Sequence, residues 1–329
     1  MSEKILTISV AAYNLENIIE ENLKSFIRCK EKDFLEVIVT DDGSKDNTAK
    51  IVSEYESRYP GIIKLIRQNN KGAGSTVNSG IKNAKGKYFK MIDGDDWVES
   101  ENLDRLINKL KEIDVDMAIT NYETYSDATK KIIDKTKYLI EENKQHEIEK
   151  ICVKNNFQMH NILYKTSILK ENEIVLDNGF YTDMEYLLLP IPFIKKVAYF
   201  DLDIYVYRIA REGQSVSLPS MQRNIDMHRL VLDRLIAYYE ENKNMLSENV
   251  SNYMLRKICD MADAELSTLL TFDINQKQIE KIKEYFQYIG KYNDLYTIFK
   301  KGKKEKILLG SNFKLVRMVS KIVLKKFYS

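Results

Sequence analysis

A strand and an acidic turn follow one another in the stretch Lys87-Tyr88-Phe89-Lys90-Met91-Ile92-Asp93-Gly94-Asp95-Asp96-Trp97. Three carboxylates within four residues, at the tip of an apolar and β-prone run, repel one another and require a counter-charge. A divalent cation with hard oxygen ligands is one solution, and Gly94 lets the backbone turn sharply beside it. A solvated turn is the other interpretation, because Asp and Gly are common turn residues. This stretch alone does not decide between the two.

Strands and helices alternate over about the first 120 residues. Buried, β-branched runs at Ile5–Tyr13, Glu36–Thr40, Ile62–Arg67, Tyr88–Ile92 and Val115–Asn121 are predicted strands, with helical periodicity between them. This alternation predicts an α/β fold with a mostly parallel, Rossmann-like sheet flanked by helices. Ligands bind beyond the carboxyl ends of the strands in such sheets, so the polar clusters after the first four strands should converge. These clusters are Tyr13-Asn14, Asp41–Ser44, Asn69–Gly74 and Asp93–Asp96.

The composition describes an ordinary globular protein, with 329 residues, 44% hydrophobic and 30% charged. This length suits one large domain and a smaller one. A net charge of +2 gives no argument for nucleic acid as a partner. The three cysteines are far apart, which favours a reducing compartment. Because no apolar run of about 20 residues occurs, we expect a cytoplasmic protein whose contact with the inner face of the membrane, if it has any, is peripheral.

The chain changes character after Pro219. Charged, amphipathic segments nearly free of Gly and Pro predict a helical C-terminal region over residues 221–329. From Lys300 onward, ten lysines and arginines accompany the single acid Glu305, and apolar residues recur among them at helical spacing. Such a tail suits an anionic membrane surface. A final packed helix with a solvated lysine face is the other interpretation, and the helices can also serve homo-oligomerisation.

Four motifs together resemble the family 2 glycosyltransferases, which have the GT-A fold and use nucleotide-diphospho-sugars. Their order and spacing both match, and the similarity covers about Lys4 to Pro219. It implies a GT-A domain over residues 1–220, with a nucleotide-sugar half to about 120 and an acceptor half over 121–220. The motifs are Val10–Asn14, Val39–Thr48, Asn70–Gly80 and Met91–Asp96.

The resemblance assigns most of the nucleotide site to the loops after the strands. It places Asp41 on the base and Tyr13 as a stacking or packing group, and the loop Asn69–Gly80 supplies backbone amides to ribose or diphosphate. The family usually has Arg before its Asn-x-Gly, whereas this chain has Val77. Arg67, Lys71 or Lys82 are candidates to replace that cation. The full set of expected nucleotide-binding residues is Ala11, Tyr13, Asn14, Asp41, Asn69, Gly72, Asp93, Arg208 and Ser215.

The acidic turn matches the family's metal-binding element, which holds Mn²⁺ or Mg²⁺ under the two phosphates. We expect Asp95 to be the direct ligand and Asp93 to face the metal or the ribose. Asp96 is a candidate either for supporting the metal ligands from behind or for lying near the donor sugar. Trp97 is a candidate for packing the turn or for stacking on a sugar.

The segment Thr182–Tyr186 resembles the acidic motif that opens a helix and carries the catalytic base. Asp183 aligns with the base, which accepts the proton of the acceptor hydroxyl as that oxygen attacks the anomeric carbon. Helix capping is the structural alternative, and Glu185 is the competing carboxylate. His160 is a candidate acceptor contact or a partly buried structural histidine.

These assignments predict an inverting, metal-dependent hexosyl- or N-acetylhexosaminyltransferase. Its donor would be a nucleotide-diphosphate sugar, with UDP as the expected nucleotide, and its acceptor a glycan or lipid-linked hydroxyl in cell-surface polysaccharide synthesis. One alternative is a sugar-phosphate nucleotidyltransferase. These enzymes carry a Gly-rich, Arg-containing loop where this chain has Ala11–Asn14. The other is a non-catalytic nucleotide-binding scaffold, which Val77 favours and Asp183 opposes.

Overall fold

One mixed sheet organises the first part of the chain. The structure, a computed structural model, describes residues 3–179, 181–210 and 217–328. Within these residues, ten strands form the sheet. They are β1 (Leu6–Ala12), β2 (Leu35–Asp41), β3 (Ile63–Arg67), β4 (Tyr88–Asp93), β5 (Trp97–Val98), β6 (Met117–Ser126), β7 (Lys131–Thr136), β8 (Gln145–Glu147), β9 (Ile162–Lys165) and β10 (Lys196–Ile209).

Helices connect most of these strands. They are α1 (Ile19–Ile27), α2 (Thr48–Arg58), α3 (Ala73–Asn83), α4 (Ser100–Glu112), α5 (Ile148–Ile151), α6 (Thr166–Glu171) and α7 (Thr182–Leu188). Short 3₁₀ segments lie at Lys32–Phe34, Met159–Asn161 and Ile191–Phe193. In α4 the residues Leu103, Leu106, Ile107 and Leu110 recur at helical spacing and are fully buried, as expected for a helix packed on a sheet.

The strand order is β3-β2-β1-β4-β9-β6-β10-β5. The strands β3, β2, β1 and β4 are mutually parallel, and β6 is parallel to β10. β9 is antiparallel to both neighbours, where Tyr164 pairs with Phe89 on one side and Met117 on the other. The predicted α/β fold with a mostly parallel sheet is confirmed. The antiparallel β9 joins its two parallel parts.

The chain divides into two compact units, Met1–Glu212 and Gly213–Ser329. The second unit is helical throughout its described residues. Its helices are α8 (Leu218–Arg223), α9 (Ile225–Asn242), α10 (Glu248–Leu269), α11 (Gln276–Ile289), α12 (Asn293–Phe299), α13 (Lys303–Gly310) and α14 (Val316–Tyr328), with a 3₁₀ segment at Lys243–Met245. The expected C-terminal helical appendage is therefore confirmed. Its basic tail forms the separate helices α13 and α14.

Candidate active site

The register of the parallel strands brings the predicted polar clusters to one edge of the sheet. Ala12, at the end of β1, pairs with Asp41 at the end of β2. On its other side β1 pairs Ala11 with Asp93, the last residue of β4. Asp41 in turn pairs with Arg67 at the end of β3. The carboxyl ends of β1, β2, β3 and β4 therefore lie side by side at one edge of the sheet, as expected for parallel strands.

The turn after β2 divides its two carboxylates between two tasks. Both oxygens of Asp42 accept backbone hydrogen bonds, from Lys71 at 2.9 Å and from Gly72 at 2.8 Å, so this side chain fixes the following loop. Asp41 is fully buried, and its Oδ1 accepts only a long 3.3 Å bond from the N–H of Ser44. Its Oδ2 is also buried and has no hydrogen-bond partner among the described residues. An unpaired buried acceptor is costly, so Asp41 is suited to receive an N–H from a ligand.

The loop after β1 presents one aromatic side chain. Tyr13 is 45% exposed. Asn14 adopts the left-handed conformation with φ 53°. Its N–H donates to Ser44 Oγ at 2.9 Å, and its Oδ1 accepts from the N–H of Lys45 at 2.9 Å. The side chain of Asn14, predicted to bind nucleotide, therefore ties the first loop to the second and leaves Tyr13 projecting beside them.

The glycine-rich loop packs against the segment that leads to α7. A Cβ added to Gly72 would lie 1.6 Å from the carbonyl oxygen of Asn178, and one added to Gly74 would lie 1.6 Å from that of Asp177. Only glycine permits this approach. We expected the amide of Gly72 to face phosphate, but it donates to Asp42. The physical reason for these glycines is close backbone packing, which positions the start of α7.

The side chain of Asn78 reinforces this packing. It donates to the carbonyl of Leu176 and accepts from its N–H, both at 2.8 Å. Val77, which occupies the position of the family's usual arginine, is only 1% exposed and belongs to the core. Asn69, by contrast, is exposed at the start of the loop. The helix α3 therefore contributes structural contacts, and Asn69 remains a candidate for ligand binding.

The acidic turn after β4 is built on close contacts with β1. The N–H of Gly94 donates to the carbonyl of Ala11 at 3.0 Å, and a Cβ at Gly94 would lie 2.5 Å from that oxygen. From α1, the buried amide of Asn22 donates to the carbonyls of Asp96 at 2.8 Å and Asp93 at 3.4 Å. Asn22 was missed in the sequence. Its signal was a polar residue within the apolar stripe of α1.

Asp96 anchors the turn to β10. Its Oδ2 accepts from the hydroxyl of Tyr205 at 2.5 Å, and its Oδ1 accepts from the N–H of Arg208 at 2.7 Å. The residue is 1% exposed. The expectation that Asp96 contacts the donor sugar is therefore replaced by a structural role, because both carboxylate oxygens already have protein partners.

Arg208 holds the same turn from its outer side. Its Nε donates to the carbonyl of Asp95 at 2.9 Å, and its other nitrogens pair with Asp127 and Glu21. The guanidinium lies 4.8 Å from the ring of Trp97, which accordingly packs the turn. We expected Arg208 to reach the diphosphate, whereas its nitrogens contact these three protein groups. Ser215, the other residue expected there, lies outside the described residues.

Negative charge accumulates around Asp93. Burial, and then the charges of Asp95 and Asp183, raise the pKa of Asp93 to about 7. Burial raises the pKa of Tyr207 to about 12, with smaller contributions from the charges of Asp96, Asp93, Asp95 and Asp183. The base candidate Asp183 therefore lies within electrostatic reach of the acidic turn, although it comes from a distant part of the chain.

The donor set around Asp93 fits a divalent cation. One oxygen each of Asp93 and Asp96 and one ring nitrogen of His160 lie within 4.8 Å of one another. This group contains Asp96 and His160 rather than Asp95, on which the sequence analysis placed the direct ligand. Both oxygens of Asp96 already accept hydrogen bonds. Asp93 and His160 are therefore better placed than Asp96 to be ligands of the cation. A bound cation would offset the mutual repulsion of these carboxylates.

His160 lies in an aromatic enclosure. Its ring centroid is 4.6 Å from those of Tyr205 and Tyr207 and 4.9 Å from that of Tyr122. Burial, and then the charge of Lys90, lower the pKa of His160 to about 3, so the ring is neutral and able to accept. The fully buried Lys90, which sequence reasoning also missed, donates to the carbonyl of His160 at 2.7 Å. Lys90 could have been noticed in the sequence as a charged residue within an otherwise apolar strand.

Asp183 and Glu185 differ completely in environment. Asp183 lies exposed in the first turn of α7, after Tyr181 in the left-handed conformation. Glu185 is fully buried, and its Oε2 accepts from the N–H of Asp177 at 2.7 Å. Glu185 therefore shapes the approach to α7 and does not compete for the role of base.

Comparison with known proteins identifies the family of this chain. The family model described as glycosyl transferase family 2 matches residues 7–172. The chain belongs to glycosyl transferase family 2.

Two curated relatives are longer than this chain. A Streptococcus pneumoniae protein named glycosyltransferase GlyA is 25% identical over 84% of this chain and 41% of its own length. A poly(ribitol-phosphate) beta-glucosyltransferase of Bacillus spizizenii is 27% identical over 65% of this chain and 33% of its own. The chain spans less than half of either relative.

Among solved structures, S. aureus TarS (residues 1–349) in complex with UDP superposes with a TM-score of 0.63. It covers 95% of this chain and 90% of its own, at 17% identity. This likeness shows that the two share a fold.

Proposed function

We propose that this chain is an inverting, metal-dependent glycosyltransferase. It moves a sugar from a UDP-sugar donor to a hydroxyl of a glycan or lipid-linked acceptor in cell-surface polysaccharide synthesis. One observation carries the proposal: the exposed Asp183 lies within electrostatic reach of the acidic turn at the carboxyl ends of β1 and β4. Membership of the family and the printed names of its relatives support the same class of reaction.

The nucleotide would bind at the ends of β1 and β2. The buried and unpaired Oδ2 of Asp41 would accept the N3 hydrogen of uracil, and the exposed ring of Tyr13 would stack on the base. Asp42 would keep the loop from Asn69 in place while the ligand binds. A uracil meets the requirement of Asp41, because its N3–H is a ring donor that a carboxylate can accept.

Asp93 and the neutral ring of His160 would hold Mn²⁺ or Mg²⁺, and Asp95, two residues after Asp93 on the same turn, would be the further carboxylate available to the ion. When bound, the cation neutralises charge on the departing diphosphate. Asp96, Arg208 and Asn22 hold the turn, so the carboxylate of Asp93 does not have to reorganise during the reaction.

Asp183 would accept the proton of the acceptor hydroxyl. That oxygen forms a bond to the anomeric carbon as the bond from this carbon to the diphosphate oxygen breaks, so the configuration inverts. Asp183 lies exposed in the first turn of α7, so an acceptor hydroxyl could reach its carboxylate, as a base requires. A nucleotidyltransferase needs no such base on the acceptor side, and a scaffold needs no base at all.

The test is Asp183→Asn, which keeps the shape of the side chain and removes the base. We expect transfer to fall by about a thousandfold, while UDP binding in titration calorimetry stays as in the wild type. The control is Asp134→Asn, at an exposed carboxylate on β7. Transfer that survives in Asp183→Asn would show that another group is the base.

A thermal-shift screen identifies the nucleotide separately. UDP-, GDP- and dTDP-sugars are compared in the presence of Mn²⁺, and the UDP-sugar is expected to raise the melting temperature most, because bound ligand stabilises the folded state. A larger shift with GDP or dTDP would overturn the choice of uracil for Asp41.

A further inference from the structure

The last helix, α14, carries positive charge on its solvent side. From Lys306 to the end, the sequence contains no aspartate or glutamate. Arg317, Lys321 and Lys325 are exposed and spaced four residues apart, so they form one row along the helix. Within the described part of the chain, none of these three takes part in an ion pair. Lys304 on α13, in contrast, pairs with Asp263 at 2.7 Å.

One face of α14 belongs to the core of the helical unit. Val316, Val319 and Val323 are between 1% and 7% exposed, and Ser320 beside them is 4% exposed. These residues follow helical spacing and cover one side of the helix. The packed helix considered for the tail is therefore present, and its buried side accounts for part of the apolar residues of the tail.

A second set of apolar side chains, two on this helix and one at Leu315 directly before it, is not buried. Leu315 is 41%, Met318 43% and Ile322 49% exposed. Spaced three and four residues apart, they form a stripe next to the row of Arg317, Lys321 and Lys325. The other exposed large apolar residues described in this unit, Leu230, Met245 and Ile307, lie singly on other elements. A contiguous apolar stripe beside an unpaired basic row indicates an interaction surface.

The chemistry of this surface selects among partners. A second copy in a two-fold contact would place the same basic rows against each other, with no acid after Glu305 to offset them. Nucleic acid would satisfy the charge but not the apolar stripe. An anionic bilayer satisfies both, because its headgroups attract Lys and Arg and its acyl boundary accepts Leu, Met and Ile.

We propose that the exposed face of α14, formed by Leu315, Met318, Ile322, Arg317, Lys321 and Lys325, binds the surface of an anionic phospholipid bilayer with the helix lying flat on it. None of the helices in the described residues is long and apolar enough to cross a membrane. The bound form is therefore peripheral. This inference concerns the helical unit and does not depend on the proposed transfer reaction.

Cosedimentation of the full chain with extruded vesicles tests this inference. Vesicles of phosphatidylcholine with added phosphatidylglycerol are compared with phosphatidylcholine alone. We expect binding only to the anionic vesicles, and its loss when salt is raised from about 0.1 M to about 1 M, since the screening length falls from about 10 Å to about 3 Å. Equal binding to both vesicle types, or to neither, would overturn the proposal.

Two double variants separate charge from apolar contact. Lys321→Gln with Lys325→Gln should weaken binding about 25-fold, since each basic residue near an anionic surface contributes about fivefold. Met318→Gln with Ile322→Gln should weaken it at least tenfold by removing apolar burial. The control is Leu230→Gln with Lys277→Gln, an equally exposed pair on α9 and α11.

The control should bind like the wild type, and circular dichroism should show that all variants keep their helices. If the control loses as much binding as the face variants, total charge and not this face drives the effect. Sedimentation velocity without lipid gives an independent check. A dimer that dissociates in the Met318→Gln, Ile322→Gln variant would instead assign the face to contact between copies.

Discussion

The two acidic turns at the sheet edge, Asp41–Ser44 after β2 and Asp93–Asp96 after β4, have similar compositions and divide their work in the same way. In each turn, one carboxylate accepts hydrogen bonds from the protein with both of its oxygens. Asp42 accepts from two backbone amides of the glycine-rich loop, and Asp96 accepts from Tyr205 and Arg208. The other carboxylate faces the site: Asp41 with an unpaired oxygen, Asp93 with like charges around it.

The turns differ in what they lack. Among the described residues, Oδ2 of Asp41 has no hydrogen-bond donor, whereas the charges that act on Asp93 are those of the carboxylates Asp95 and Asp183. A buried acceptor without a donor suits a nucleobase N–H, and a group of carboxylates that raise one another's pKa suits a cation. Neighbouring aspartates in such turns are therefore not interchangeable. The hydrogen-bond partners of each carboxylate decide whether it holds the turn in place or is available to a ligand.

The largest effect is expected for the anchoring carboxylate of the second turn. Asp96→Ala leaves the hydroxyl of Tyr205 and the N–H of Arg208 without their acceptor, and each buried unpaired group costs about 1–3 kcal/mol. We expect the free energy of unfolding to fall by about 3 kcal/mol in urea titration. Asp96→Asn, which keeps an oxygen for Arg208, should lose clearly less. Equal losses would show that these hydrogen bonds do not hold the turn.

A smaller change in the free energy of unfolding is expected when the pH of the metal-free protein is varied. The pKa of Asp93 is about 7 in the folded state, against an ordinary value of 3.8 for an aspartate in the unfolded chain, so folding favours the protonated form. The stability contributed by this proton is fully present below about pH 4 and is lost as pH rises through about 7; the part lost between pH 5 and pH 8 is on the order of 2 kcal/mol. Unfolding should therefore be easier at pH 8 than at pH 5.

Asp93→Asn should flatten this dependence, and Mn²⁺ should stabilise the wild type at pH 8 but not the variant. Chelation with EDTA should return the wild type to its metal-free curve. If Mn²⁺ stabilised the variant and the wild type equally, the cation would bind elsewhere.

The smallest effect is expected in the first turn. Asp41→Asn replaces an acceptor oxygen with an amide that can turn its N–H toward the base, so UDP binding should weaken about tenfold with little change in stability. Asp42→Asn should do the reverse, because it disturbs the amides of Lys71 and Gly72. Titration calorimetry and urea unfolding of both variants give the comparison. If Asp41→Asn and Asp42→Asn changed UDP binding and stability to the same extent, the two aspartates would not have the separate roles described above.

Much of the fold was predictable from local patterns. Buried runs ending in Asp and Gly identified the strands and their ends, and the parallel arrangement then required the polar turns to meet. The antiparallel pairing of β9 with β4 and the clamp from Asn78 to Leu176 were not predictable, because the paired residues lie 75 residues apart in the first case (Phe89 and Tyr164) and 98 in the second. Asn22 and Lys90 carried a usable signal, a polar residue in an apolar pattern, but the pattern does not say what such a residue contacts.

The sequence by itself determined the α/β alternation, the edge at which ligands bind and the residue types available there, because these follow from periodicity and side-chain chemistry along the chain. Only the tertiary structure decided which carboxylate of each turn faces the site. The partners of Asp96 come from β10, more than 100 residues away, and those of Glu185 and Gly72 come from backbone brought close by packing. A carboxylate is available to a ligand only where folding has left its oxygens without such partners.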